Sequence, residues 1–112
     1  LGRANRLTRS ADFERVFAAG PPVHQRICSL RVAPNALERV RAGIICGKRV
    51  GQAVVRNRAR RRLREALRQA LASVPPGWDI LVTIRPEGAS ASMAEFVCAL
   101  NELLSRRGLK SQ

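Results

Sequence analysis

Residues 55–68 read Val55-Arg56-Asn57-Arg58-Ala59-Arg60-Arg61-Arg62-Leu63-Arg64-Glu65-Ala66-Leu67-Arg68, and this stretch decides how the chain must fold. Ala59, Leu63, Ala66 and Leu67 recur at three- and four-residue steps, and Ala70, Leu71 and Val74 continue the series. That spacing predicts a long helix to about residue 73 with one apolar stripe. Around the stripe lie seven arginines and one glutamate, a net charge of +6 (7 − 1). Like charges at this density repel and weaken an isolated helix. The stripe must therefore be held down by a folded domain, which leaves a rigid cationic ridge. At about 100° per residue, Asn57, Arg60, Arg61, Arg64 and Arg68 fall on one flank, with Arg58 and Arg62 nearer the other.

Outward from the helix, the chain alternates between two periods. Before it, residues 26–33 place Cys28, Leu30 and Val32 on one face, and residues 40–48 place Ala42, Ile44 and Cys46 on one face. Both read as strands, and the short connection through Pro34-Asn35 predicts an antiparallel hairpin. Ala53-Val54-Val55 either adds a short strand or opens the helix. After the helix, Pro75-Pro76-Gly77 stops it, and residues 78–85 form the strongest strand pattern, with Trp78, Ile80, Val82 and Ile84 on one face. Ser92 and Glu95 match a capping box. A last helix follows to about residue 107, with Met93, Phe96, Val97, Leu100, Leu103 and Leu104 on its apolar face and Gly108 beyond its end. Near the start, Ser10 is a candidate N-cap for a short helix over residues 11–19 carrying Phe13, Val16 and Phe17, stopped by Gly20-Pro21-Pro22. Residues 1–9 read as an arm or a frayed tail. Helices and strands share one core, so the class is α+β and residues 1–112 form one domain.

Composition narrows the function. The 112 residues carry 21 Lys+Arg against 8 Asp+Glu, a net charge of +13. Such a charge strains a compact fold unless a polyanion neutralises it. All but Lys48 and Lys110 of the basic residues are arginines, whose planar fork suits phosphate. A purely solubilising face is disfavoured because the run is nearly of one sign beside a packed stripe. A membrane-surface helix would need larger apolar side chains than three leucines and several alanines. No apolar run approaches the roughly 20 residues that span a bilayer. No secretory signal is expected, since residues 1–10 are polar and basic. Cys28, Cys46 and Cys98 are widely spaced among apolar neighbours, and His24 is the sole histidine. They read as small reduced core residues of a cytoplasmic protein, without a zinc site.

Residues 43–65, from Gly43-Ile44-Ile45-Cys46-Gly47-Lys48-Arg49-Val50-Gly51 through Arg56-Asn57-Arg58, Arg60-Arg61 and Arg64-Glu65, resemble the signature of the bacterial ribonuclease P protein family. Arg6-Leu7, Asp12-Phe13, Val16-Phe17, Gly20 and Gly77-Trp78-Asp79-Ile80 match it too, in order along nearly the whole chain. The resemblance implies a mixed sheet of about four strands with three helices and a left-handed β-α-β crossover. It implies a protein subunit that assists the catalytic RNA of ribonuclease P in removing the 5′ leader from precursor tRNA. Carried over by position, the RNA-facing residues are Lys48, Arg49, Arg56, Asn57, Arg58, Arg60, Arg61 and Arg64, with Arg68 added from the helical wheel. The resemblance also implies a cleft for the single-stranded leader, including Phe13 and Phe17. Either ring could stack on an unpaired base, or both could simply pack the core. The chain departs from the family pattern with Arg49 at a position often held by lysine, and with Pro21-Pro22 in place of a more basic loop.

No catalytic protein residues are expected, because the acidic residues are scattered singly. Mg²⁺ is expected to come with the RNA subunit, and no obligate protein partner is expected. A ribosome-associated RNA-binding protein would share the charge but need no leader cleft. A protein-only nuclease would have to cut RNA unaided.

Overall fold

The computed structural model describes residues 5–110. Helix α1 spans Ser10–Ala18, and strands β1, β2 and β3 span Val23–His24, Cys28–Pro34 and Arg41–Ile45. Helix α2 spans Ala53–Ala70, strand β4 Trp78–Ile84 and helix α3 Met93–Arg106. The four strands form one mixed sheet in the order β1-β2-β4-β3. β4 runs antiparallel to β2 and parallel to β3. The β3–α2–β4 segment is therefore a crossover between neighbouring parallel strands.

The expected hairpin between β2 and β3 does not form, because β4 lies between them. The cause is apolarity. Four of the seven β4 residues, Ile80, Leu81, Val82 and Ile84, are fully buried aliphatics, so the strand gains most from the centre, where both faces are covered. Stepping over one strand requires about 10 Å, which the connection over residues 35–40 spans easily.

Helices cover both sheet faces. On one, Leu30, Ala42, Ile80, Val82 and Ile84 meet the stripes of α2 and α3. Ala59, Leu63, Ala66, Leu67 and Ala70 of α2, with Phe96, Leu100, Leu103 and Leu104 of α3, are all at most 1% exposed. Ala53-Val54-Val55 opens α2 rather than adding a strand, and the helix tightens into a 3₁₀ turn at Leu71–Ser73 before the prolines. α3 begins with the expected capping box: the Glu95 amide donates to Ser92 Oγ at 3.1 Å, and the Ser92 amide to Glu95 Oε1 at 3.0 Å. Gly108, beyond its end, takes the positive φ of +74° that favours glycine there. No described helix is long and apolar enough to cross a membrane.

Among the described helices, only α1 lies on the opposite face. Val16 is fully buried there with Leu7, Ala33 and Leu81, and Phe13 packs beside them. Arg9, not Ser10, occupies the cap position of α1, and it makes no side-chain cap; Ser10 is the first helical residue. Cys28 and Cys46 are buried, as expected of core residues, whereas Cys98 faces solvent on α3. Burial pushes the Cys28 thiol up to about 12, against a smaller lowering by Arg85.

One polar group interrupts the apolar face under α1. Asp79 is 0% exposed. Its cross-strand neighbour on β3 is Arg41, which donates from Nε to Oδ1 at 2.9 Å and from Nη2 to Oδ2 at 2.8 Å. Asn35 Nδ2 donates to Oδ1 at 2.9 Å, and Arg15 of α1 donates from Nη2 to Oδ2. Burial opposes the charged form of Asp79. The bonds from Arg41, Asn35 and Arg15 outweigh it and hold the carboxyl below the usual carboxylate range.

Removing that charge leaves Arg15 and Arg41 with only the more distant Asp12 carboxylate to balance them. Asp79→Asn is expected to cost about 3 kcal/mol of unfolding free energy. The Asp79 contribution is complete above its ordinary value of 3.8 and fades as pH falls through its lowered folded value. Urea unfolding across acid pH should therefore show a flatter acid limb for the variant than for the wild type.

Candidate nucleic-acid interface

The ridge begins where β3 ends. After Ile45 the chain passes Gly47 into a 3₁₀ turn at Lys48–Val50, closed by the Val50 amide donating to Gly47 O at 3.1 Å. Val50 is buried while Lys48 and Arg49 are exposed. Gly51 then turns the chain into α2 with φ +151°, and a methyl group on it would lie 2.9 Å from Val55 Cγ1. Glycine is required there on both counts. The turn thus sets two cations beside the N-terminus of α2, whose free amides already carry partial positive charge.

Along α2 the arginines are not uniformly outward, as the wheel alone suggests. Asn57, Arg61, Arg64 and Arg68 are exposed, whereas Arg56, Arg58, Arg60 and Arg62 are half-buried. Arg60 Nη2 donates to Cys46 O on one flank and Arg62 Nη1 to Ala91 O on the other, both at 3.3 Å. Such side chains lie along the domain with their aliphatic stems covered. The Nε atoms of Arg56 and Arg58 are closed to solvent. Arg68 bonds Glu65 at 3.0 Å, and that hydrogen bond lowers the Glu65 carboxyl from its ordinary value. Arg68 is therefore the member of the set whose charge is already paired.

Two shallow grooves flank Arg64. Arg61, Arg64, Glu65 and Arg68 line one of about 260 Å³. Arg6, Thr8, Ile44, Arg60 and Arg64 help line another of about 240 Å³ at the outer edge of β3. Sequence reading left Arg6 outside the candidate set. The arm that carries it is tied to β3 by the Leu7 amide donating to Ala42 O at 2.9 Å, a long-range pairing with no local sequence signal.

The second candidate region lies on the α1 face. Phe13 is half-buried, and its ring lies 3.2 Å from where a methyl group on Gly43 would stand. Phe17 is 44% exposed. The Arg31 guanidinium stacks over its ring at 4.7 Å and donates to Gly20 O at 2.7 Å. The two phenylalanines therefore differ: Phe13 packs, and Phe17 is available. Beyond α1 the sheet face carries Thr83 and Ile45, both half-buried, beside the buried Ser29; the three are cross-strand neighbours. A groove of about 550 Å³ continues from there, lined in part by Ile45, Arg49, Thr83 and Arg85. Arg31 and Arg85 were not among the sequence candidates. Arg31 could have been found as the one charged residue within the alternating strand Cys28–Pro34.

Together these elements define a small basic α+β domain that carries an arginine helix on one side and an open cleft on another. The family model for ribonuclease P matches residues 1–108. The ribonuclease P protein component of Chloroflexus aggregans is 46% identical over 105 residues, covering 93% of this chain and 78% of that protein. The ribonuclease P protein of Staphylococcus aureus superposes with a TM-score of 0.84 at 25% identity, over 97% of this chain and 100% of that one. That of Thermotoga maritima gives 0.78 at 27% identity, over 90% and 96%. The chain belongs to the ribonuclease P protein family, the protein component of a bacterial tRNA-processing endoribonuclease.

Gly51→Ala should displace the start of α2 and cost about 1–3 kcal/mol in thermal or urea unfolding. Arg61→Ala and Arg64→Ala should leave the fold intact, because both side chains are exposed. Each should flatten the salt dependence of RNA affinity by about one unit in a filter-binding titration. An unchanged slope would remove that residue from the interface.

Proposed function

We propose that this chain is the protein subunit that binds the catalytic RNA of ribonuclease P and the single-stranded 5′ leader of precursor tRNA. The catalytic RNA docks on Lys48, Arg49, Arg56, Asn57, Arg58, Arg60, Arg61 and Arg64, with Arg68 at the margin because Glu65 pairs it. The leader enters the cleft between α1 and the sheet, where Phe17 offers its ring to an unpaired base and Phe13 supports it from below. Stacking of this kind tolerates any base, which suits a leader of variable sequence.

The observation that carries the reading is the continuity of the two surfaces. Arg49 lines the groove at the ends of β3 and β4, and the turn that holds it leads directly into α2. A leader lying in the cleft therefore runs toward the docked catalytic RNA along one cationic path. The chain's part in cleavage is to bind, orient and shield phosphate repulsion. The half-buried arginines, already settled along the flanks of α2, leave less side-chain ordering for the moment of contact.

The bond is cut by the RNA subunit with its Mg²⁺ ions. Four of the eight carboxylates are already engaged within the chain: Asp12 and Asp79 by Arg15 and Arg41, Glu65 by Arg68, and Glu95 by the α3 cap. No three of His, Cys, Asp and Glu gather among the described residues.

With a bacterial ribonuclease P RNA at limiting Mg²⁺, adding the chain should restore cleavage of precursor tRNA. It should also raise affinity for precursor over mature tRNA. Lack of stimulation, or equal gain for both RNAs, would sink the proposal.

A further inference from the structure

We propose that Asp79 is a positioning residue for the leader cleft, acting through Arg15 to fix the pose of α1. The inference rests on the functional reading above and deepens it.

Helix α1 covers its sheet face alone, and its apolar anchorage is small. Val16 is its single fully buried residue, and Phe13 is half-buried. A helix of 9 residues held by one and a half apolar side chains can roll or slide over a smooth sheet. Direction must come from polar contacts. These cluster at one point. Arg15 donates from Nη2 to the buried Asp79 and from Nη1 to Pro34 O at 2.7 Å. Asp12, one turn earlier, accepts from Arg41 Nη2 at 3.3 Å, and Arg41 also holds Asp79. One carboxylate near the start of β4 thus fixes α1, β3 and, through Asn35, the loop after β2.

Arg15 stands two residues after Phe13 and two before Phe17, a displacement of about 3 Å along the helix axis each way. The cleft wall and its latch are therefore on the same short helix, on different sides of it. The far end is held separately, by Arg31 donating to Gly20 O at 2.7 Å. With both tethers in place α1 has one angle over the sheet. With the Asp79 tether gone, Phe13 and Phe17 can rotate relative to Thr83 and Ile45, and the width of the cleft changes. Asp79 is 0% exposed, so its effect on a bound leader is indirect.

The position predicts a separation of two affinities. The α2 ridge is fixed by α3 and the opposite sheet face, so docking on the RNA subunit should not depend on Asp79. Leader binding should. The test uses holoenzyme reconstituted from the full chain and a bacterial ribonuclease P RNA, at a temperature where every variant is folded by circular dichroism. Two quantities are measured: the affinity of the chain for the RNA subunit, and the ratio of affinities for precursor tRNA with and without its leader. Arg15→Gln should lower that ratio by about tenfold or more while changing RNA-subunit affinity less than about twofold. Arg15→Lys, which keeps a donor for Asp79, should recover much of the ratio. Asp79→Asn, wherever it folds, should reproduce Arg15→Gln.

If the wild-type ratio is already one, the leader reading fails and this inference falls with it. If the wild type shows a leader effect that Arg15→Gln keeps in full, the positioning role alone is overturned. Parallel losses in both affinities, or no recovery with Arg15→Lys, would likewise reduce Asp79 to a general stabiliser and overturn the inference.

Discussion

A buried carboxylate on the central strand organises this domain. Asp79 accepts hydrogen bonds from Arg15, Arg41 and Asn35 with no exposure to solvent. An unpaired charge in that place would be very costly, so its partners are obligatory. Arg41 and Asn35 bracket the β2–β3 connection, and Arg15 comes from α1. The group therefore selects which segments lie on that face, and in what orientation, where apolar packing alone would accept several arrangements. On the opposite face no such group is needed, because α2 and α3 bury two broad apolar stripes.

The arginine helix shows how a charge-dense segment is kept helical. Its self-repulsion is offset by the five buried stripe residues, and partly by the carbonyls of Cys46 and Ala91 that receive Arg60 and Arg62. The half-buried guanidinium groups lie along the flanks, and the exposed ones stand at the crest. Two populations follow: arginines with settled positions, and arginines free to adapt. A surface of this kind combines a fixed register with some tolerance for the exact path of a phosphate backbone.

Much of this was legible in the residues, for reasons that can be named. The α2 and α3 stripes, the strand over residues 78–84 and the Ser92–Glu95 cap are local patterns, and all appear in the structure. The arrangement of strands was not local. Alternation in β2 and β3 gives their faces correctly, yet says nothing about which strand neighbours which. The hairpin expectation failed because the more apolar β4 takes the central position. Of the candidate site residues, the exposure of Asn57, Arg61, Arg64, Lys48 and Arg49 agrees with the helical wheel and the turn. The shielding of Arg58 does not, since it depends on neighbouring elements. Arg6, Arg31 and Arg85 join the surface only through pairings far apart in sequence. Asp79 was visible as part of Gly77-Trp78-Asp79-Ile80, but its burial, and so its role, comes from Arg15 and Arg41 on other elements. Cys98 reads as apolar by its neighbours and is exposed because the α3 stripe passes it by.

The central place of β4 also orders events in time. β2 and β3 precede it in the chain by more than thirty residues, and they have no ladder between them until it arrives. A nascent chain that has emerged only to Gly77 has the α2 segment and two strands separated by an empty slot. Closing the sheet requires inserting one strand between two others, a non-local step that is slow relative to helix formation. During synthesis the cationic segment thus emerges before the scaffold that holds it helical, and the finished surface exists only once the last third of the polypeptide has been made.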